Sequence, residues 1–319
     1  MVGLRDSFGK VFPNLYFFAH RKYLDFRFAF TKNHKKQTIK KYKKMFKQTL
    51  DLDNPKTFYE KINYLRLNYC NNALGKMIDK YLVKDFLKGN GYSEYTPNII
   101  GHYYSFKDFQ NDFRNVISKN NQFVVKLTHT SGDVFFYNNG VWRDKKGKNV
   151  SKRFVFACLK QNIKHNYYHH NFEKEYDLLK GSVLVEEYIP SFQELGMDEL
   201  KIFANYGEPI LINYVVGRQN KGHVREAFLN KNLVKYDAKQ DQEILDLDRI
   251  SIPPYYDKML EFCTKTCNEL PLVRIDFLCN KDTFYFCEFT LYDCSGMNIF
   301  YPLERNIEFG SLIRLERRI

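Results

Sequence analysis

The clearest chemistry in the chain sits on two short apolar stretches. Leu272-Val273-Arg274-Ile275-Asp276-Phe277 and Phe284-Tyr285-Phe286-Cys287-Glu288-Phe289-Thr290 read as strands joined by a polar hairpin, Cys279 to Thr283. Residues two apart in a strand share a face, so Arg274 goes with Asp276 and Glu288 with Thr290. If those faces coincide, an Arg, two carboxylates and a hydroxyl occupy one small area. Charges held in a sheet of Val, Ile, Phe and Tyr need partners. Two carboxylates beside a hydroxyl are hard oxygen donors of the kind that suit Mg²⁺. The plain alternative is an exposed hairpin carrying an Arg–Asp pair.

A second set lies upstream. Phe123-Val124-Val125-Lys126-Leu127 reads as a buried strand with one Lys. It runs into Thr128-His129-Thr130-Ser131-Gly132-Asp133 and then the apolar Val134-Phe135-Phe136-Tyr137. Backbone N–H groups and hydroxyls at such a tip suit a polyphosphate, although a surface hairpin with a polar tip has the same pattern. Gly181 to Pro190 is a strand ending in two carboxylates, Glu186 and Glu187, and a Pro, and Glu199 to Ala204, with Lys201 inside it, turns at Asn205-Tyr206-Gly207-Glu208 into a return strand, Pro209 to Val216. His165, His169 and His170 have the composition of a metal cluster, but Tyr and Asn around them favour a solvated helix end.

The elements that must position these groups are mixed. Thr57 with Glu60 three residues later signals a capped helix, and Met77 to Leu87 reads as a second amphipathic helix ending at Gly89-Asn90-Gly91. Phe106 to Val116, Ser151 to Tyr168, Tyr255 to Leu270 and a basic tail from Gly310 to Ile319 read as further helices; Asp237 to Pro254 reads as polar loop. Helices come first and hairpins then alternate with helices, which is an α+β pattern and not a doubly wound sheet. No repeat of 20–50 residues is present.

The length of 319 residues allows a sizeable core. Seven cysteines, at 70, 158, 263, 267, 279, 287 and 294, have no zinc-type spacing and fit a reduced, cytoplasmic protein. Cys263 and Cys267 read as packed thiols. No apolar run follows the first positive charges, so no signal peptide is expected, and no segment reaches the roughly 18 apolar residues of a membrane span. The net charge of +13 is concentrated: residues 1–50 carry 13 Lys/Arg against Asp6 and Asp25, a net of +11. Phe12 to Phe30 interleaves aromatics with Arg and Lys, and Lys32 to Lys47 is a basic helix candidate. These read as two helices docked on the body, or as a peripheral contact with the inner face of an anionic membrane; nucleic acid is not the expected partner.

The ordinary nucleotide motifs G-x-x-x-x-G-K-[ST] and G-x-G-x-x-G are absent. In order, however, the chain offers Asn54-Pro55-Lys56-Thr57-Phe58-Tyr59-Glu60-Lys61-Ile62, Ile78-Asp79-Lys80-Tyr81-Leu82-Val83-Lys84, Phe123-Val124-Val125-Lys126 with His129 and Ser131-Gly132, Val185-Glu186-Glu187-Tyr188, Leu200-Lys201-Ile202-Phe203, Val273-Arg274-Ile275-Asp276 and Cys287-Glu288-Phe289-Thr290. This order, over residues 54–303, resembles the ATP-grasp superfamily, to which D-alanine–D-alanine ligase belongs, and most closely the TupA-like ATP-grasp family of polysaccharide-biosynthesis clusters.

The resemblance implies ATP bound between two α+β subdomains. It gives Lys126 to the α/β-phosphates, the hairpin Thr128, His129, Ser131 and Gly132 to the β/γ-phosphates, and Glu186, Glu187, Tyr188 and Ile189 to adenine and ribose, with Lys80 also on the nucleotide. Asp276, Glu288 and Thr290 are implied as Mg²⁺ ligands. Thr290 stands where many ATP-grasp ligases have Asn, a trait shared with the TupA-like pattern. Arg274 and Lys201 are implied as catalytic. The implied segments are an N-terminal arm (1–50), a helical region (51–120), a first ATP-grasp subdomain (121–190) and a second (191–319). The implied reaction is ADP-forming carboxylate–amine ligation through an acyl phosphate, joining an amino acid or amine to a carboxylated sugar of a surface polysaccharide. Two rival readings stand beside it. One is a glycosyltransferase using Asp51-Leu52-Asp53 or Asp246-Leu247-Asp248; the other is a non-enzymatic binder of membrane or nucleic acid through the basic arm.

Overall fold

The computed structural model describes residues 9–69, 74–189, 198–216, 224–240, 242–245, 253–279 and 283–316. Cys70, Pro190, Asp246-Leu247-Asp248 and the hairpin tip Asn280 to Asp282 lie outside the described residues. The chain divides into two compact units, one from the described parts of 1–32, 72–83 and 97–189, the other from those of 33–71, 84–96 and 190–319. Each unit is assembled from separated stretches. The consecutive ranges 1–50, 51–120, 121–190 and 191–319 remain our proposal for the order of functional segments.

The first unit is built on an antiparallel sheet in the order β1-β6-β2-β3-β4-β5: β1 Ile99–Tyr103, β2 Gln122–Leu127, β3 Val134–Asn138, β4 Val141–Asp144, β5 Asn149–Val150 and β6 Val183–Glu187. Alternation along β2 decides which face is which. Phe123, Val125 and Leu127 are fully buried with Phe135, Val183 and Val185. Phe109, Phe113 and Val116 of helix Phe106–Lys119, and Val155, Cys158 and Leu159 of helix Lys152–Asn162, complete that core. The opposite face is left for Val124, Lys126 and Glu186.

The second unit holds the sheet β10-β9-β8-β7-β12-β13, with β11 beside β9: β7 Asp198–Asn205, β8 Glu208–Val216, β9 Arg225–Leu229, β10 Lys235–Tyr236, β11 Glu243–Ile244, β12 Val273–Cys279 and β13 Phe284–Thr290. Helix Tyr256–Cys267 packs Phe262 against Phe277, Phe286 and Phe289, and its Cys263 and Cys267 are fully buried as the sequence predicts. The β7–β8 turn has φ 50° at Tyr206 and 78° at Gly207, the left-handed pair that tight hairpins favour. Helix Phe58–Asn68 carries the expected capping box, Thr57 with Glu60.

Three helix expectations are corrected. Met77 to Leu87 is broken into Gly75–Ile78 and Leu82–Gly89, because the Asp79 carboxylate accepts from the N–H groups of Tyr81 and Leu82 and starts the second helix afresh. Ser151 to Tyr168 stops as a helix at Asn162, with a short turn Tyr168–Asn171 following. The C-terminal helix is Glu304–Ser311, earlier than Gly310 to Ile319. The histidines are corrected too. His165 is 8% exposed, and the part-buried His169 bonds through Nδ1 to Asp25 of helix Pro13–Ala29 at 2.9 Å. No described helix is long and apolar enough to cross a membrane.

Candidate active site

In the second unit the strand register carries chemistry into one row. Asp276 of β12 lies opposite Glu288 of β13 on one side and Lys201 of β7 on the other, and Lys201 lies opposite Asn213 of β8. Arg274, one step along β12, lies opposite Thr290. The faces of the two strands therefore coincide as the spacing requires. Arg274 donates through Nε and Nη2 to the two oxygens of Asp276 at 2.6 and 2.7 Å, and through Nη2 to Thr290 Oγ1 at 3.3 Å. A third arm, Nη1, pairs with Asp293. Lys201 Nζ stands 3.4 Å from Glu199 and 3.7 Å from Asp276.

Burial alone would lower the Arg274 pKa, but Asp276, Asp293 and Glu288 outweigh it and raise the pKa well above its usual value. Asp293 Oδ2 accepts from Tyr59 Oη at 2.6 Å, and Tyr59 Oη accepts from Gln240 Nε2. Burial, then Asp293, raises the Tyr59 pKa, so the phenol keeps its proton and remains the donor. Tyr59 and Asp293 did not stand out in the sequence. Tyr59 lay inside a helix-capping stretch, and Asp293 falls three residues beyond the strand that ends at Thr290. Its loop is tightly constrained: Cys294 and Ser295 both adopt positive φ, 48° and 53°.

The oxygen donors fit a hard divalent cation. Asp276 and Glu288 face each other in register, and Mg²⁺ is ordinarily held by one or two carboxylates with substrate phosphates and water completing its shell. Among the described residues no group of three or more His, Cys, Asp or Glu is arranged to hold a metal, so the remaining ligands would come from outside this set. Thr290 Oγ1 is engaged by Arg274.

The first unit presents the upstream set of candidate residues. Lys126 pairs with Glu186 on the face of the sheet opposite that core, across the diagonal that the β2–β6 register sets. Glu186 is 2% exposed, which makes the Lys its neutralising partner. Glu187 accepts from Asn98 Nδ2 at 2.8 Å, while Tyr188 and Ile189 are buried, Tyr188 edge-on to Phe136.

The Thr128 to Asp133 loop is held from several sides. Thr128, His129 and Thr130 are buried; Thr128 Oγ1 meets Ser182 Oγ at 3.0 Å, and His129 Nε2 lies 3.1 Å from the His165 carbonyl. Lys80 clamps the loop by donating N–H to the Thr128 carbonyl and Nζ to that of Thr130, at 3.1 and 2.6 Å. Asp133 accepts from Thr130 Oγ1 at 2.8 Å and from Cys158 Sγ at 3.1 Å. Ser131 and Gly132 are left at the accessible tip. Gly132 has φ 107°, and a Cβ there would stand 2.9 Å from Lys145 Nζ.

Residues 60–314 match the model of the family described as TupA-like ATPgrasp, and the chain belongs to that family. Its fold is the ATP-grasp fold: mixed helix and antiparallel sheet with an N-terminal helical segment. Family membership supports an ATP-dependent ligase. Solved structures that resemble the chain include a D-alanine–D-alanine ligase from Helicobacter pylori, at 15% identity and TM-score 0.39, covering 76% of this chain and 60% of that one. The ATP-grasp ligase PsnB complexed with its minimal precursor has 10% identity and TM-score 0.37, covering 71% and 55%. Cdc123 from Schizosaccharomyces pombe has 11% identity and TM-score 0.39, covering 69% and 85%. The chain thus spans about 60% or less of the first two of these proteins. No curated protein matches the chain.

Proposed function

We propose that the chain is an ADP-forming carboxylate–amine ligase that uses Mg-ATP. The observation that carries this reading is the register that sets Asp276 against Glu288 with Arg274 and Lys201 on the same face, in a chain of ATP-grasp family. Lys126 would hold the α/β-phosphates, exchanging part of its pairing with Glu186 for phosphate oxygens. The backbone at Ser131 and Gly132 would follow the β/γ-phosphates, with Lys80, Thr128 and His129 supporting the loop from behind. Glu186, Glu187, Tyr188 and Ile189 would receive adenine and ribose.

Asp276 and Glu288 would hold Mg²⁺, with Thr290 beside them; when bound, the ion neutralises phosphate charge. The chemistry transfers the γ-phosphoryl group to a substrate carboxylate, giving an acyl phosphate and ADP. An amine then attacks the acyl carbon, the C–O bond to phosphate breaks, and amide and phosphate form as the amine loses a proton. Arg274, kept charged by its three carboxylates, suits the oxyanion of that step, and Lys201 would contact phosphate or the acceptor. A carboxylated sugar of a surface polysaccharide and an amino acid or small amine are the substrate classes we propose, on the cytoplasmic side where ATP is supplied.

The glycosyltransferase reading finds less support. Asp51 Oδ1 accepts from the N–H groups of Asp53 and Asn54, both at 3.0 Å, and Asp53 pairs with Lys35, so this Asp-x-Asp closes a turn. An ADP-release screen of amino acids and small amines against uronic acids and their nucleotide or polymer forms tests the proposal. Release that requires one carboxylate and one amine together is the expected result. Calorimetric binding of a UDP-sugar without binding of Mg-ATP would overturn it.

A further inference from the structure

Helix Pro13–Ala29 is two-faced. Its inner face grips the first unit: Phe17 meets Phe154 edge-on at 5.1 Å, Leu24 is buried, Arg21 Nη1 donates to the Gln161 carbonyl, and Arg27 Nη2 donates to the carbonyl of His169. Asp25 is the sole acidic residue from 9 to 50, and it is turned to His169. The helix is therefore fixed to the body by contacts that account for its polar side chains on that side.

The opposite side is apolar and open. Val11, Leu15, Phe18, Tyr23, Phe26 and Phe30 are 56, 56, 43, 60, 62 and 72% exposed. Their spacing of three to five residues sets them along one side of a helix and its ends. Lys22 is exposed within the same arc, and Lys10 and Lys32 are exposed at the two ends. A row of large apolar side chains flanked by lysines, with no acid among them, has the make-up of a helix that lies in a bilayer interface, rings in the headgroup boundary and ammonium groups among lipid phosphates.

We propose that this face docks the protein on an anionic membrane surface. Charge complementarity selects the occupant. Residues 9–32, the described part of the arm within this unit, carry five Lys/Arg against Asp25, a net of +4, so an anionic sheet of headgroups answers them, whereas a second copy of the same face would bring lysine against lysine with no acid to meet it. The one acid of this stretch, Asp25, is bonded to His169. The inference does not depend on the reaction catalysed.

Flotation of the full chain with phosphatidylcholine vesicles, with and without phosphatidylglycerol, tests it. The intact protein is expected to float with the anionic vesicles and about tenfold less with neutral ones or at high salt. The triple variant Leu15→Ser, Phe26→Ser, Phe30→Ser touches only the exposed face and is expected to keep its unfolding midpoint while losing flotation. Phe26→Trp is expected to shift its emission to the blue on anionic vesicles. Equal flotation of the triple variant, or equal flotation on neutral vesicles, overturns the proposal. So does an intact protein that ignores vesicles and sediments as a dimer which the triple variant turns into monomer.

Discussion

Asp276 stands in register opposite Glu288 while both of its oxygens accept hydrogen bonds from Arg274, at 2.6 and 2.7 Å. One carboxylate is thus shared between a guanidinium fork and the place where a cation would sit. The fork also reaches Asp293 and Thr290, so one residue organises three partners.

Arg274→Ala leaves Asp276 and Asp293 without their common cation. Breaking a buried pair from one side costs about 3 kcal/mol or more, and a urea denaturation should show a loss of that order. Arg274→Lys restores charge but not the fork, so its stability should fall between the other two. Equal stability of all three proteins would mean that the network contributes nothing to the fold.

Tyr59→Phe removes the donor to Asp293 and the acceptor for Gln240 at constant shape. A hydrogen bond to a charged group is worth roughly 2 kcal/mol, so the unfolding free energy should drop by about that much. Because Asp293 holds Arg274, turnover of the variant should fall while its apparent affinity for ATP stays unchanged. A change in ATP affinity with unaltered turnover would contradict the role given to this phenol.

Gly132→Ala forces a side chain into φ 107° and against Lys145 Nζ. The strain is on the order of 1–2 kcal/mol and falls on the accessible loop tip. Nucleotide affinity should weaken severalfold with the thermal midpoint lowered only slightly. Unchanged affinity would remove this tip from the phosphate site.

His165 is buried with neither ring nitrogen bonded, and burial lowers its pKa from 6.5 to about 4. Its folded pKa lies below the unfolded one, so the unfolded chain binds the extra proton. The stability this neutral ring supports is complete above pH 6.5 and declines as pH falls towards 4. The loss over that window is ~3 kcal/mol. His129 shifts in the same direction, burial again being the main cause. Denaturation midpoints of the intact chain and His165→Gln should converge as pH falls from 7 to 4; parallel curves would show that His165 does not titrate in this way.

Period-two patterning made β2, β6, β12 and β13 readable, and with them the pairing of Arg274 and Asp276 with Glu288 and Thr290, because side-chain direction in a strand follows from position alone. What could not be read was the origin of the groups that complete the charge balance. Asp293 and Tyr59 come from a turn and a helix 234 residues apart in sequence, and no local pattern announces such a meeting. The histidines failed for a related reason: their surroundings in sequence are polar, whereas helix Pro13–Ala29, whose Asp25 bonds His169, lies more than 130 residues upstream. Asp79 was read as a helix-interior residue, although its side chain competes with the backbone for the N–H groups it caps.

The most direct test is calorimetric titration of ATP, with and without Mg²⁺, into the intact chain, Asp276→Asn and Glu288→Gln. Mg²⁺ should strengthen binding to the intact chain, and that gain should be lost, by at least about tenfold, in both variants, with metal-free binding little changed. A Mg²⁺ effect of the same size in all three proteins would show that Asp276 and Glu288 do not hold the metal, and the account of the site would fall with them.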